Sequence, residues 1–182
     1  PYTTLFRSYA DSVFEGLRTD GFRTLIDKDE NSSPGFKFAE WEMRGIPVRV
    51  EIGPRDMEGG KVMVVRRDTG EKTLVERAQA PEFIRGLLAE IQQSLYDRAR
   101  SFREENTKEI DNYADLCSYF EGDGGFAIVP WDGEADSGAK VKADTKATIR
   151  VLQDGNEEAA KGRVCAVSGK PARHMAVFAK SY

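Results

Sequence analysis

The stretch Ser33–Asp56, SPGFKFAEWEMRGIPVRVEIGPRD, contains the start of a helix, its end and the strand that follows. Ser33 offers a hydroxyl to the first free N–H groups of a helix, and Pro34 suits the first helical position, where a missing N–H costs nothing. Gly45 is expected to close that helix. Within it, Phe36, Ala39 and Met43 form a stripe expected to pack inward, while Lys37, Glu40 and Arg44 share the opposite side. The β-rich run Val48–Ile52 comes next. The turn signals Gly53-Pro54 and Gly59-Gly60 then lead into a second strand, Val62–Arg66. A capped helix followed by strands joined through short turns predicts an α/β unit.

Toward the N-terminus, Ala10, Val13, Phe14 and Leu17 fall at helical spacing, which predicts a helix over Ala10–Thr19 closed by Gly21. Phe22–Ile26 reads as a short strand and Asp27–Ser33 as a polar loop. The first eight residues, PYTTLFRS, are what translation of a common sequencing-adapter oligonucleotide gives. They are set aside as a scar, and with the lack of an initiator Met they suggest a reading frame cut at its 5' end.

Toward the C-terminus, a third strand is expected at Thr73–Val75 after the turn at Thr69-Gly70. A long helix over Pro81–Phe102 follows from Ile84, Leu87, Leu88, Ile91, Leu95 and Phe102. The polar stretch after Arg103 marks a domain boundary, dividing 9–103 from 104–182. The second part reads as a helix near Ile110–Phe120, a glycine-rich loop at Gly122–Gly125, and a strand over Phe126–Trp131. A helix near Ser137–Asp144 and strands at Thr148–Leu152, Val164–Val167 and Met175–Ala179 complete a small α+β domain. The glycine loop lacks the strand-GxxxxGK-helix context of a phosphate cradle.

Composition narrows the function classes. The chain has 182 residues, 40% of them apolar, which is enough for a real core, and a net charge of −4. That balance argues against a surface coated in basic groups but leaves room for a local basic face. No run approaches the roughly 18 apolar residues that span a bilayer, and no secretory signal is seen, so a cytoplasmic location is expected. The two cysteines, Cys117 and Cys165, lie far apart without a CxxC pairing and are read as reduced and structural. His174, the one histidine, reads as a surface or packing residue.

The segment Ser33–Asp56 closely resembles the signature of the anticodon-binding domain of archaeal/eukaryotic-type prolyl-tRNA synthetases, which are class II aminoacyl-tRNA synthetases. Val64–Lys72 (VVRRDTGEK), Ala147–Arg150 (ATIR) and Gly169–Tyr182 (GKPARHMAVFAKSY) are similar to the same family, so the resemblance runs from Tyr9 to the end. It implies an α/β anticodon-binding domain, a mixed sheet flanked by helices with its first strand missing, followed by a small C-terminal domain. The catalytic domain, with its ATP and Mg, would lie upstream, so this part alone is not expected to aminoacylate. The implied partner is tRNA(Pro), whose anticodon carries two discriminating guanines, and the intact enzyme is expected to be a homodimer.

A protein reads splayed bases through their hydrogen-bonding edges and by stacking on aromatic or guanidinium planes. Carboxylates accept from guanine N1–H and N2–H groups, and Lys or Arg donates to O6. The resemblance therefore points to Lys37, Glu40, Glu42, Arg49, Glu51, Arg55, Arg66 and Lys72 as anticodon-binding residues, with Phe36 and Trp41 as stacking surfaces. Glu42 and Arg55 are expected at base edges, with Lys37 and Arg66 supporting them or meeting phosphate. Many relatives hold a structural zinc on four cysteines, and alignment places Asp132, Ser137, Cys165 and Ser168 at those positions. Serine is a poor zinc ligand, so no zinc is expected and hydrogen bonds should replace it. The family's terminal tyrosine, here Tyr182, directs its carboxylate toward the active site. A stand-alone RNA-binding module without ligase activity is the alternative, and a scaffold without an RNA role is the third.

Overall fold

The computed structural model describes residues 2–122 and 124–181. The chain divides into two compact units, Pro1–Asp97 and Arg98–Tyr182. The break expected after Arg103 falls later, near the end of the helix that runs through this division.

The first unit contains α1 (Tyr2–Thr19), α2 (Pro34–Met43), β1 (Val48–Glu51), α3 (Pro54–Glu58), β2 (Lys61–Arg66), β3 (Lys72–Glu76) and most of α4 (Ala80–Glu105). Its strands form an antiparallel sheet in the order β1-β2-β3, with Val50 opposite Val64 and Val62 opposite Val75. Strand side chains alternate between faces, so Val48, Val50, Val62, Val64 and Val75 share one side. Against that side pack Val13 and Leu17 of α1 and Ala80, Ile84, Leu87 and Ile91 of α4. Burial of each large aliphatic side chain here contributes about 1.5–3 kcal/mol. The other side of the sheet carries Arg49, Glu51 and Lys72 together with Met63, Val65 and Leu74.

Both early helices end in the same way. Gly21 and Gly45 take left-handed φ angles of 86° and 83°. The next residue then donates backward across the turn, Phe22 to the Leu17 carbonyl and Ile46 to that of Trp41, both at 3.1 Å. Only glycine adopts this conformation without cost, so these two positions end the helices where the sequence predicts. At the N-terminus of α2, the Ser33 hydroxyl accepts from Phe36 N at 3.3 Å.

The second unit adds β4 (Thr107–Glu109), α5 (Tyr113–Glu121), β5 (Phe126–Trp131), α6 (Ala135–Thr145), β6 (Ala147–Leu152), α7 (Asn156–Ala160) and β7 (His174–Lys180). Its sheet is mixed, in the order β4-β5-β7-β6, with β4 parallel to β5 and the remaining pairs antiparallel. Leu116 and Phe120 of α5 and Val141 of α6 pack with Ala127, Val129, Ala176 and Phe178 into its core.

Several local expectations are corrected. The first helix starts at Tyr2 rather than Ala10 and so runs through residues set aside as a scar. Leu5 there is exposed, consistent with a helix prolonged by its own backbone bonds, since extending a helix costs far less than starting one. Phe22–Ile26 forms no strand: its burial alternates, but no ladder partner exists among the described residues. The Gly53–Gly60 turn contains a short helix, α3, in which Asp56 accepts from Gly53 N at 2.8 Å. The polar stretch after Arg103 hides β4, which pairs at a sheet edge where an apolar pattern is not required. Residues 164–167 make a single bridge, Val164 to Pro171, in place of a strand. Between the strand at 147–152 and this bridge, residues 156–160, for which no element is expected, form the short helix α7.

Candidate nucleic-acid interface

On the sheet side opposite the core, Arg49 and Glu51 of β1 lie two residues apart and point the same way. Arg49 faces Val65, which in turn faces Lys72 on β3, so this pairing brings Lys72 across β2 toward β1. Lys72 Nζ reaches Glu51 Oε2 at 3.2 Å. Arg49 donates to Glu51 at 2.9 Å through Nε and to Glu42, on α2, at 2.6 Å through Nη1. Its guanidinium also lies 4.1 Å from the centre of the Phe38 ring, one turn before Glu42. The result is a continuous row of alternating charge, Glu42–Arg49–Glu51–Lys72, built from one helix and two strands.

Exposure grades along this row. Arg49 and Glu51 are 17% and 19% exposed, whereas the end groups Glu42 and Lys72 are 48% and 51% exposed. Burial opposes the charge on Arg49, but its hydrogen bonds to Glu42 and Glu51 outweigh that cost and hold its pKa above the ordinary arginine value. Arg49 is thus held in its charged state between two carboxylates, and the outer groups of the row lie half exposed. Beside this row lies an apolar one: Met63 faces both Glu51 and Leu74, and Leu74 is 49% exposed.

The other sequence-predicted residues fall elsewhere. Arg66 alternates with Val64 and so lies on the core side, where it pairs with Asp68 at 2.8 Å and approaches Glu90 of α4 at 3.7 Å. Lys37 pairs with Asp27 at 3.1 Å and also donates to the Asp29 carbonyl, tying α2 to the loop before it. Trp41 belongs to the same tie, donating its indole N–H to Asp27 at 2.8 Å. Hydrogen bonds from Trp41 and the Asp29 backbone, with Lys37, hold the Asp27 carboxyl below its ordinary pKa. Glu40 pairs with Arg44 one turn away. Arg55 is exposed on α3.

The facing of α2 is also reversed. Phe36, Ala39 and Met43 are exposed, Met43 to 90%, while Lys37, Phe38 and Trp41 turn inward. The helix packs on polar partners, Arg49 and the Asp27–Asp29 loop, so its apolar stripe does not mark its buried side. Phe38 and Asp27 are the residues that sequence reasoning passed over. The spacing of Phe38 four residues before Glu42 was the available signal.

Residues 1–87 match the family model described as anticodon binding domain, and residues 113–182 match the one described as prolyl-tRNA synthetase, C-terminal. Three relatives named proline–tRNA ligase agree with both. That of Chloroherpeton thalassium is 45% identical over 91% of this chain, that of Pelodictyon phaeoclathratiforme 44% over 95%, and that of Rubrobacter xylanophilus 43% over 97%. The chain belongs to the prolyl-tRNA synthetase family. It spans 35–37% of the length of these relatives, the part holding the anticodon-binding and C-terminal domains.

In the prolyl-tRNA synthetase C-terminal domain, the four positions aligned with zinc cysteines do come together. Asp132 follows β5, Ser137 lies in α6, and Cys165 and Ser168 lie in the loop before β7. Asp132 Oδ1 accepts from Ser137 Oγ at 2.6 Å and from Glu134 N at 3.1 Å, and Oδ2 accepts from Ser168 Oγ at 2.5 Å. The set does not fit a structural zinc, which takes four thiolate, imidazole or carboxylate ligands, because two of the four members are hydroxyls that already donate to the third. His174 is half-buried, with Nδ1 2.7 Å from Asn156 Oδ1 and its ring beside Trp131. Tyr182 lies outside the described residues. No helix among them is long and apolar enough to cross a membrane.

Proposed function

We propose that this chain is the RNA-reading part of a proline–tRNA ligase, and that the row Glu42–Arg49–Glu51–Lys72 reads the anticodon guanines of tRNA(Pro). The row carries the reading because it sets an exposed acceptor and an exposed donor about one fixed ion pair. Glu42 accepts from the N1–H and N2–H edge of one guanine, and Lys72 donates to an O6. Each outer pair is exposed enough that breaking it costs about 0–1 kcal/mol, so a base edge can displace the internal partner. Met63 and Leu74 provide a neighbouring apolar surface on which a base can lie. Arg55, exposed on α3, contributes positive charge toward the phosphates.

In the intact enzyme, ATP and Mg act in a catalytic domain that activates proline and passes it to the tRNA, and the protein works as a cytoplasmic homodimer. Titrating the 182-residue chain with a fluorescent anticodon stem-loop tests the reading. Replacing the two guanines with adenines should weaken binding at least about tenfold, the loss of roughly one good base-edge contact. Equal affinity for both stem-loops would rule the guanine-reading row out.

A further inference from the structure

We infer that Asp132 is the hub of a metal-free knot that does the cross-linking work of a zinc ion in the second unit. Three separate pieces of chain meet at this one carboxylate: the end of β5, the first turns of α6, and the loop 165–170. Asp132 is 3% exposed, Ser137 6% and Cys165 2%. An ionised carboxylate buried this deeply persists only if its lone pairs are met, and here they are met by Ser137, Ser168 and the Glu134 N–H, with the Cys165 thiol beside them.

The surroundings are built to keep those donors in place. Ser137 has one hydroxyl proton, directed at Asp132, while its oxygen accepts from Trp131 Nε1 at 2.7 Å. The loop carrying Cys165 and Ser168 folds back on itself, Cys165 N to Lys170 O at 2.7 Å and Gly169 N to Cys165 O at 3.0 Å, with Gly169 at a left-handed φ of 73°. Ala166 N donates to Pro130 O at 3.0 Å and so fastens the same loop to β5. The backbone thus presents four side chains to one point, as a metal would require. Three of those side chains meet there through hydrogen bonds. Among the described residues, no group of three or more His, Cys, Asp or Glu side chains could hold a metal ion.

The test uses the full chain expressed in zinc-containing medium and three readouts. Elemental analysis should find no stoichiometric zinc, and EDTA should leave the melting temperature unmoved. Asp132→Asn, which keeps the shape but turns one acceptor into a donor facing hydroxyl protons, should lower the melting temperature by about 5–10 °C, against almost nothing for the exposed control Asp154→Asn. The triple variant Asp132→Cys, Ser137→Cys, Ser168→Cys, joining Cys165, should take up about one zinc per chain and become EDTA-sensitive. Stoichiometric zinc in the parent chain, or an Asp132→Asn variant as stable as its control, would overturn the inference. So would a folded triple variant that takes up no zinc, because the four side chains would then not converge. If the triple variant does not fold, the first two readouts decide alone.

Discussion

On the sheet face of the first unit, Glu42 and Glu51 share Arg49 in a row whose ends are half exposed, whereas in the second unit Asp132 is sealed among hydroxyls and a thiol. Both arrangements satisfy carboxylates, but with different partners. The ends of the row are half-exposed opposite charges whose internal partners water or a nucleobase can replace at small cost. The knot uses short neutral donors held by backbone, which nothing in solution can replace without opening the unit. Exposure and partner type together separate a surface made for exchange from one made for architecture.

Asp132→Ala should give the largest effect, because it leaves two hydroxyls and a backbone N–H facing a cavity. A loss of about 3 kcal/mol in urea unfolding is expected. A loss below about 1 kcal/mol would place the knot with the surface row. Arg49→Ala removes the cation shared by two acids and should cost about 1–2 kcal/mol of stability. It should also abolish discrimination of the guanine stem-loop. Glu42→Ala should split the two readouts, leaving stability within about 0.5 kcal/mol while lowering guanine-over-adenine preference about tenfold. In the full-length enzyme the same change should spare ATP-dependent proline activation, and equal loss of both would assign Glu42 to folding instead.

Asp27 is an intermediate case, a half-buried acid held by an indole N–H and a lysine. Its folded pKa is depressed, so its contribution is present above the ordinary aspartate range and is lost as pH falls through the lowered value. Trp41 fluorescence should change with a midpoint below that range, and a midpoint unaltered in Asp27→Asn would break the assignment. The smallest effect belongs to Glu40→Ala, whose one-turn pair with Arg44 should be worth no more than about 0.5 kcal/mol, with unchanged RNA binding.

Much of this was legible in the sequence wherever a local rule decides the outcome. Ser33-Pro34 and Gly45 bound α2, Gly21 closes α1, and the aliphatic spacing after Pro81 gives α4, because capping and periodicity act within a few residues. The family resemblance likewise brought Asp132, Ser137, Cys165 and Ser168 to one place on paper. What stayed hidden depends on distant partners. Val64 and Val65 are both apolar, so alternation could not show that Arg66 faces the helices while Lys72 faces α2. Phe38 turns inward because Arg49 lies beneath it, and Phe36 turns out because nothing does. α3 and α7 are five residues each, too short for periodicity to register.

The segment Phe22–Ile26 has burial that alternates residue by residue like a strand, yet Arg23–Ile26 find no backbone acceptor among the described residues, and the buried Thr24 hydroxyl has no partner. Its amides are therefore set to a different clock from the rest of the sheet. They should trade hydrogen for deuterium almost as fast as a free peptide, while those of Val62, Val64 and Val65 wait for the sheet to open. For the same reason, this short run is open to stray strand pairing when the chain is concentrated, and a charged residue in place of the exposed Leu25 should reduce it.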